Sequence, residues 1–232
     1  KTGVVYVRSV GRNQTGEMVL DYVRWVMVRK GNVDAPTPEA VIPALSDAVG
    51  AADLVIPAEL DLSAYDTVQA GSAHLWDDYE VGEKIDHVDG MTIEEAEHMM
   101  ATRLYQNTAK VHFDQFSANA GRFERRLIYG GHIISLARAL SFNGLANAFR
   151  IAAINAGAHT NPTFAGDTIY AWSEVLDKFE VPGRTDIGAL RLRTVACKDQ
   201  SAEMFPDKGE DGRATESVVL DFDYSVLMAR RS

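Results

Sequence analysis

One segment constrains the fold of this 232-residue chain more than any other. From about Gly131 to Ala148, apolar side chains occupy most of the circumference when the residues are placed on a helix. These apolar positions are Ile133, Ile134, Leu136, Ala137, Leu140, Leu145 and Ala146. A helix that is apolar on nearly every side is stable only inside protein, so the segment predicts a buried helix about 27 Å long, at about 1.5 Å per residue.

Strand-like runs supply the material that encloses this helix. Runs rich in β-branched and aromatic residues follow it at 149–155, 167–179, 187–197 and 216–228, and a short run precedes it at 83–88. One buried helix followed by strands able to curl around it predicts an α+β hot-dog fold. A generic α+β sandwich is the alternative that this pattern leaves open.

A second helix is predicted before the buried one. Thr92 and Glu95 form the T-x-x-E pattern of a capping box, which marks a helix start, and the helix is expected to end near Tyr105. Its expected inward face consists of Ile93, Ala96, Met100 and Leu104.

An internal repeat indicates a second copy of the same fold. The segment 19–22 (VLDY) matches 219–222 (VLDF), and 7–10 (VRSV) matches 192–195 (LRTV). Two strands that match in order, with only the loop between them longer in the later copy, indicate a true repeat. We therefore expect a double hot-dog in which residues 1–30 are the C-terminal hairpin of a first copy that is mostly missing.

Composition divides the remainder of the chain. Four of the seven prolines fall within residues 31–75, which predicts a linker with at most a short helix near 37–49. The segment 76–232 carries the compact α+β pattern and is expected to form the hot-dog domain itself.

Charge and cysteine content exclude several classes of function. Lys and Arg number 23 against 33 Asp and Glu, a formal net charge of −10, which argues against nucleic acid or an anionic membrane as the main partner. The single cysteine, Cys197, cannot form an intrachain disulfide. No run approaches the roughly 18 apolar residues of a membrane span. These features predict a cytoplasmic protein.

Three motifs occur in order after the capped helix. They are YQNTAKVHFD at 105–114, LIYGGH at 127–132 and NPTFAGDT at 161–168. Together they resemble the MaoC-like, or (R)-specific enoyl-CoA hydratase, family of hot-dog proteins. In that family a Gly-Asp-x-Asn-Pro-apolar-His-x-Asp motif precedes an apolar-His-Gly turn and a Pro-x-x-x-Gly-Asp-Thr strand entry. His112 falls on the motif histidine and Asp114 on its last aspartate.

The resemblance implies an activity and also shows departures. The first motif and the two-copy layout are most similar to the members that hydrate mesaconyl-CoA, a branched C5 dicarboxyl-CoA thioester, to β-methylmalyl-CoA. We expect a CoA thioester substrate and an assembly of two or more identical chains. Asn107 stands where the family has a catalytic aspartate, and Ala109 and Lys110 replace its Asn-Pro. Proton transfer must then rely on His112, with help from groups that the sequence does not identify.

The chemistry assigns roles to three residues. Water attacking the Cβ atom of an unsaturated thioester places negative charge on the thioester oxygen, so the site needs an oxyanion donor, a base and a proton source. The amide of Gly131 at a helix N-terminus suits the oxyanion. His112 is the natural acid–base group. Asn107 cannot accept a proton, but its amide can orient the water or the imidazole.

Further residues are candidates for substrate binding. Tyr129, Gly130 and Lys110 lie within the motifs, and Asp114 is expected either to orient His112 or to cap the next turn. The cluster of Arg122, Arg125 and Arg126 is either a solvated loop or an entrance that binds CoA phosphates or the free carboxylate. His132 and Glu124 are weaker candidates for the site, named because they lie near Gly131 in the sequence.

No cofactor is implied by the remaining pattern. The other histidines, His74, His87, His98 and His159, share no metal-ligand spacing, and no dinucleotide-binding turn is present, so we expect neither a metal nor a redox cofactor. Two other functions remain open. One is an acyl-CoA thioesterase. The other is a degenerate, non-catalytic copy that only stabilises a double hot-dog, and this alternative stays open because Asn107 replaces the catalytic aspartate.

Overall fold

A computed structural model describes residues 2–231, so Lys1 and Ser232, the outer ends of the predicted first and last segments, lie outside the described residues. The chain divides into two compact units at residues 46 and 47. The first unit contains one antiparallel hairpin, formed by β1 (Thr2–Arg12) and β2 (Met18–Arg29). Both strands match the runs expected from the sequence.

The second unit is built on a six-stranded antiparallel sheet with strand order β3-β6-β7-β8-β5, and β4 also pairs with β6. Its strands are β3 (Lys84–Asp86), β4 (Met91–Thr92), β5 (Ala148–His159), β6 (Thr168–Glu180), β7 (Ile187–Lys198) and β8 (Val218–Ala229). Each run predicted after the buried helix is thus a strand, and β5 lies at one edge of the sheet.

Four α-helical segments accompany the sheet: α1 (Glu95–Leu104), α2 (Gln115–Ala118), α3 (Gly130–Leu140) and α4 (Phe142–Leu145). The single long helix expected over 131–148 is therefore wrong beyond Leu140. The chain breaks at Asn143 and Gly144, where Gly144 adopts a φ of 98° that only glycine takes readily. A Cβ atom at Gly144 would also lie 2.5 Å from a methyl carbon of Ile85.

Helix α3 packs against the middle strands of the sheet and forms the main core. Ile133, Leu136 and Leu140 face β6, β7 and β8, and all three are buried in one cluster with Leu192 and Tyr224. A helix enclosed by an antiparallel sheet is the hot-dog arrangement. Burial of each such side chain contributes about 1.5–3 kcal/mol.

The start of α1 differs from the capping-box prediction. Thr92 belongs to β4, where its hydroxyl bonds that of Thr168 at 2.8 Å, and the helix begins with no side-chain cap. Met100 is 56% exposed and Leu104 is 71% exposed, whereas His98 and Thr102 are buried. Pairing of β4 with β6 thus sets the orientation of α1, and the expected inward face is wrong for Ala96, Met100 and Leu104, which are all exposed.

Residues 47–75, predicted to be linker, pack onto the outer face of the domain. Leu54 is buried with Val181, Ile187 and Leu227. The backbone N–H of Val49 donates to the side chain of Asn155 at 3.0 Å. The helix expected near 37–49 is absent among the described residues, and only one 3₁₀ turn, Ala51–Asp53, forms nearby.

The first-unit hairpin repeats the geometry of the β7–β8 hairpin. In both hairpins an arginine donates two hydrogen bonds, from Nε to Oδ1 and from Nη2 to Oδ2, to an aspartate on the partner strand. The distances are 2.9 and 2.6 Å for Arg8 with Asp21, and 2.9 and 2.9 Å for Arg193 with Asp221. Matched residues also pair alike: Ser9 with Tyr22 and Thr194 with Phe222, Val10 with Asp21 and Val195 with Asp221. The sequence repeat is therefore a repeat of strand register as well.

Burial separates the two hairpins. Val19 is 64% exposed and Met27 is 67% exposed, while the matched Val219 and Leu227 of β8 are 1% and 0% exposed. The first hairpin thus has apolar residues like those of the buried strand β8, but its own apolar residues are exposed.

Candidate functional site

The site is built around the start of α3. Tyr129 precedes the helix in extended conformation, and Gly130 and Gly131 are its first two residues. Among residues 2–231, no acceptor bonds the backbone N–H of either glycine. Free amides at the positive end of a helix dipole attract negative charge.

His98 of α1 fixes the approach to this helix. Its Nε2 accepts the backbone N–H of Tyr129 at 2.9 Å, which requires a neutral ring. Burial, followed by the charges of His132, His112 and Arg126, lowers the pKa of His98 to about 4. His98 therefore remains an acceptor at neutral pH and holds Tyr129, the residue just before α3, through this hydrogen bond.

His132 is directed to another partner. Its Nε2 lies 2.9 Å from a carboxylate oxygen of Glu97, and its ring centroid lies 6.0 Å from that of His98. The side chain of His132 is thus held by α1, and we assign it to the support of the helix start.

Only one ring nitrogen of His112 has a hydrogen-bond partner among the described residues. Nδ1 lies 3.0 Å from the carbonyl oxygen of Leu127, which can only accept, so Nδ1 carries the proton. Leu127 in turn donates its N–H to Val111 at 3.0 Å, which ties the two segments together. Nε2 then keeps its lone pair and is available as a base. The ring lies edge-on to Tyr129 at 5.9 Å.

Aromatic rings fill the space beside both glycines. A Cβ atom at Gly131 would lie 2.4 Å from the ring of Tyr129, and one at Gly130 would lie 2.3 Å from Nε2 of His159. A side chain at either position would therefore have to displace one of these rings.

His159, at the end of β5, was missed by sequence analysis. It has no motif spacing to His112 or Gly130, and only the pairing of β5 with β8 brings it to the start of α3. The signal in the sequence was limited to its position just before the third motif.

Asn107 and Asp114 are occupied locally. The side-chain oxygen of Asn107 accepts the N–H of Ala109 at 2.8 Å, and the residue lines a cavity of about 310 Å³ with Met99 and Phe113. Among the described residues, no hydrogen bond joins Asn107 to His112. Asn107 thus lies in the same motif as His112, but the two side chains are not hydrogen-bonded to each other.

Asp114 caps α2. Its carboxylate accepts the N–H and the hydroxyl of Ser117 at 3.0 and 2.6 Å, and these bonds lower its pKa. The expectation of a cap is therefore confirmed, and among the described residues Asp114 makes no hydrogen bond to His112.

The three arginines make separate contacts rather than one patch. Arg126 is mostly buried and ion-paired with Glu95. Arg125 donates to the carbonyl of Ala165 at 2.8 Å and stacks 4.3 Å above the ring of Phe164. The remaining members of the predicted set, Arg122, Lys110 and Glu124, are exposed.

Known proteins identify the family. No protein-family model matches the chain. It is 66% identical over 231 residues to beta-methylmalyl-CoA dehydratase of Chloroflexus aurantiacus and 61% identical over 231 residues to mesaconyl-CoA hydratase of Cereibacter sphaeroides. A crystal structure of a MaoC domain dehydratase from Chloroflexus aurantiacus superposes with a TM-score of 0.95 at 66% identity, over 100% of this chain and 66% of that one. The chain belongs to the MaoC-like family.

Further structures agree with this placement. A Mycobacterium tuberculosis protein with a double hot-dog fold matches at 25% identity and a TM-score of 0.64, over 99% of this chain and 63% of that one. The two curated matches include 100% and 99% of this MaoC-like chain. The chain spans only 66% and 65% of the length of those two relatives.

No three His, Cys, Asp or Glu side chains within residues 2–231 are grouped as a metal site. None of the helices in that part of the chain is long and apolar enough to cross a membrane.

Proposed function

We propose that this MaoC-like chain carries the active site of a CoA-thioester hydratase that converts mesaconyl-CoA and β-methylmalyl-CoA into each other. The observation that carries the proposal is the position of His112, whose ring lies 5.9 Å from that of Tyr129, the residue just before α3; among the described residues its Nε2 and the amides of Gly130 and Gly131 have no hydrogen-bond partner. The names of the two curated relatives support the substrate pair.

The residues account for each part of the reaction. Nε2 of His112 takes a proton from water as the water oxygen bonds Cβ, and the double-bond electrons move to the thioester oxygen. The amides of Gly130 and Gly131 stabilise that oxyanion. The imidazolium of His112 then gives the proton to Cα, so that H and OH are added in total and no charge remains. Dehydration reverses these steps.

We expect the protein to consume mesaconyl-CoA in an assay of absorbance at the enoyl-thioester band, with β-methylmalyl-CoA as the product identified by mass spectrometry. Saturated CoA thioesters should not be hydrolysed. Release of free CoA, followed with a thiol reagent, would instead favour a thioesterase. Absence of turnover on any unsaturated or 3-hydroxyacyl-CoA would favour a degenerate copy.

Arg122 and Arg125 are the proposed contacts of the CoA phosphates. Arg126 is assigned to Glu95 and is left out of this role. The double substitution of Arg122 and Arg125 by Gln is expected to raise KM for the CoA thioester more than KM for the matching pantetheine thioester, because only CoA carries the nucleotide phosphates. Equal changes in both KM values would show that these arginines do not hold the nucleotide end.

We also propose that residues 1–30 are the last hairpin of a first hot-dog copy. The repeated register and the repeated Arg–Asp pair support this assignment, and so does the open apolar face of β1 and β2. Slow amide exchange of Val19 and Met27 in the full-length enzyme would agree with a covered hairpin; fast exchange would contradict it.

The proposed setting is cytoplasmic, with two or more copies assembled. The single cysteine, Cys197, is buried and unpaired, which suits a reducing compartment. Exposed apolar side chains on α1, Met100 and Leu104, fit an interface between copies. Sedimentation equilibrium measures the assembly directly, and a monomer at micromolar concentration would contradict it.

A further inference from the structure

His159 packs against the first residue of the helix whose amides the proposed mechanism uses. It is the last residue of β5, and its Nε2 lies 2.3 Å from the position a Cβ atom would take at Gly130, with its Cδ2 and Cε1 at 2.8 Å. The imidazole therefore rests directly on the first residue of α3. Tyr129 takes the corresponding place over Gly131.

The surroundings of His159 favour a neutral ring. Although the residue lies at an exposed strand end, packing around the imidazole lowers its pKa, and the charge of the nearby His112 lowers it further. Among the described residues, no carboxylate hydrogen-bonds to it. A neutral imidazole always carries one N–H, and the other nitrogen accepts.

The imidazoles of His112 and His159, whose charges act on each other, are suited to different tasks. His112 is held through Nδ1 and must gain a proton during the reaction. A charge on His159 at the same moment would oppose that gain through Coulomb repulsion. A neutral His159 avoids this cost and still offers a fixed donor, and a neutral imidazole at a helix N-terminus polarises a carbonyl in the same way elsewhere.

We propose that His159 is a further catalytic residue of the hydration, donating its Nε2–H to the thioester oxygen beside the amides of Gly130 and Gly131. The proposal rests on the proposed function. His159 keeps its proton throughout: the negative charge arrives at the oxygen as water adds to Cβ, and His112 carries the moving proton. The two amides and the imidazole then form a three-donor oxyanion site.

The test compares two substitutions of one residue. H159L removes the donor and is expected to lower kcat with mesaconyl-CoA by about 10²–10³, with KM changed far less. H159Q keeps an N–H donor of similar reach and should recover part of that loss. The acid limb of the pH–rate profile should remain in H159Q, because His159 does not carry the moving proton. H74Q, at an exposed histidine outside the site, should behave as wild type.

A second variant protects the test against misfolding of H159L. In G130A the new Cβ atom displaces the imidazole while His159 itself is kept. G130A should show a comparable fall in kcat, and the G130A/H159L double variant should lose little more, because both changes remove the same donor. Additive losses would overturn the shared role.

Three results would overturn the proposal. H159L with near-wild-type kcat would remove His159 from catalysis. Loss of the acid limb in H159Q would make His159 a proton-transfer group, and a rise in KM at constant kcat would make it a binding residue only. An inactive wild-type protein would instead refute the proposed function, so the two failures are distinguishable.

Discussion

His112→Ala is expected to lower kcat for hydration of mesaconyl-CoA by about 10²–10⁴. The Nδ1–H bond to Leu127 leaves Nε2 as the base, and the variant removes the one ring nitrogen that takes the proton of the attacking water. The amides of Gly130 and Gly131 stay in place, so residual turnover should remain above the uncatalysed rate. Initial rates of absorbance loss at saturating substrate measure the effect.

Asn107→Ala is the matched control in the same motif. Asn107 closes a turn with the N–H of Ala109 and makes no hydrogen bond to His112 among residues 2–231. Its loss should therefore cost much less than the loss of His112. Near-normal activity of His112→Ala, in a variant whose thermal unfolding is unchanged, would contradict the mechanism whatever the fold.

The strands and the turn before α3 were predictable because they depend on local pattern. Alternating and β-branched runs placed β5 to β8 within a few residues, and the glycine pair marked the start of α3. His112 could be found because it lies in the short motif at 105–114, which resembles a motif of the family. Features carried by neighbouring residues are visible in one sequence.

The features that sequence analysis missed depend on tertiary contact. His159 reaches Gly130 only through the pairing of β5 with β8, and no spacing rule joins the two. The inward face of α1 was misplaced because β4 pairs with β6 and removes Thr92 from the helix. Local propensity was overridden by sheet formation in that case.

The break after α3 has a similar origin, and it reveals a buried polar chain. His87 is fully buried, and its Nδ1 lies 2.6 Å from the carbonyl of Asn143, so that nitrogen donates. Nε2 must then accept from Ser173 at 2.8 Å, which accepts in turn from Thr194 at 2.7 Å. Thr194 is bonded to Tyr224 at 2.9 Å. This chain of hydrogen bonds crosses β6, β7 and β8 in one direction and holds the break after α3 to the sheet.

These hydrogen-bond directions belong to a neutral His87, because a second proton on Nε2 would reverse the donor and acceptor roles of Ser173 and Thr194. Burial, the largest cause, lowers the pKa of His87 to about 4, against 6.5 when it is solvated. The unfolded state therefore binds a proton below pH 6.5 that the folded state refuses. Stability from His87 is present above pH 6.5 and is lost as the pH falls toward 4.

We expect the free energy of unfolding of the wild type to fall by about 3 kcal/mol from His87 alone between pH 6.5 and 4, at about 1.4 kcal/mol per pH unit. His98, whose pKa is also lowered to about 4, acts in the same direction. H87Q should be less stable at pH 7.5 but should lose stability less steeply toward pH 4.5 in urea unfolding. H74Q, outside the chain, should keep the wild-type slope, and an unchanged slope in H87Q would show that the buried chain does not depend on a neutral His87.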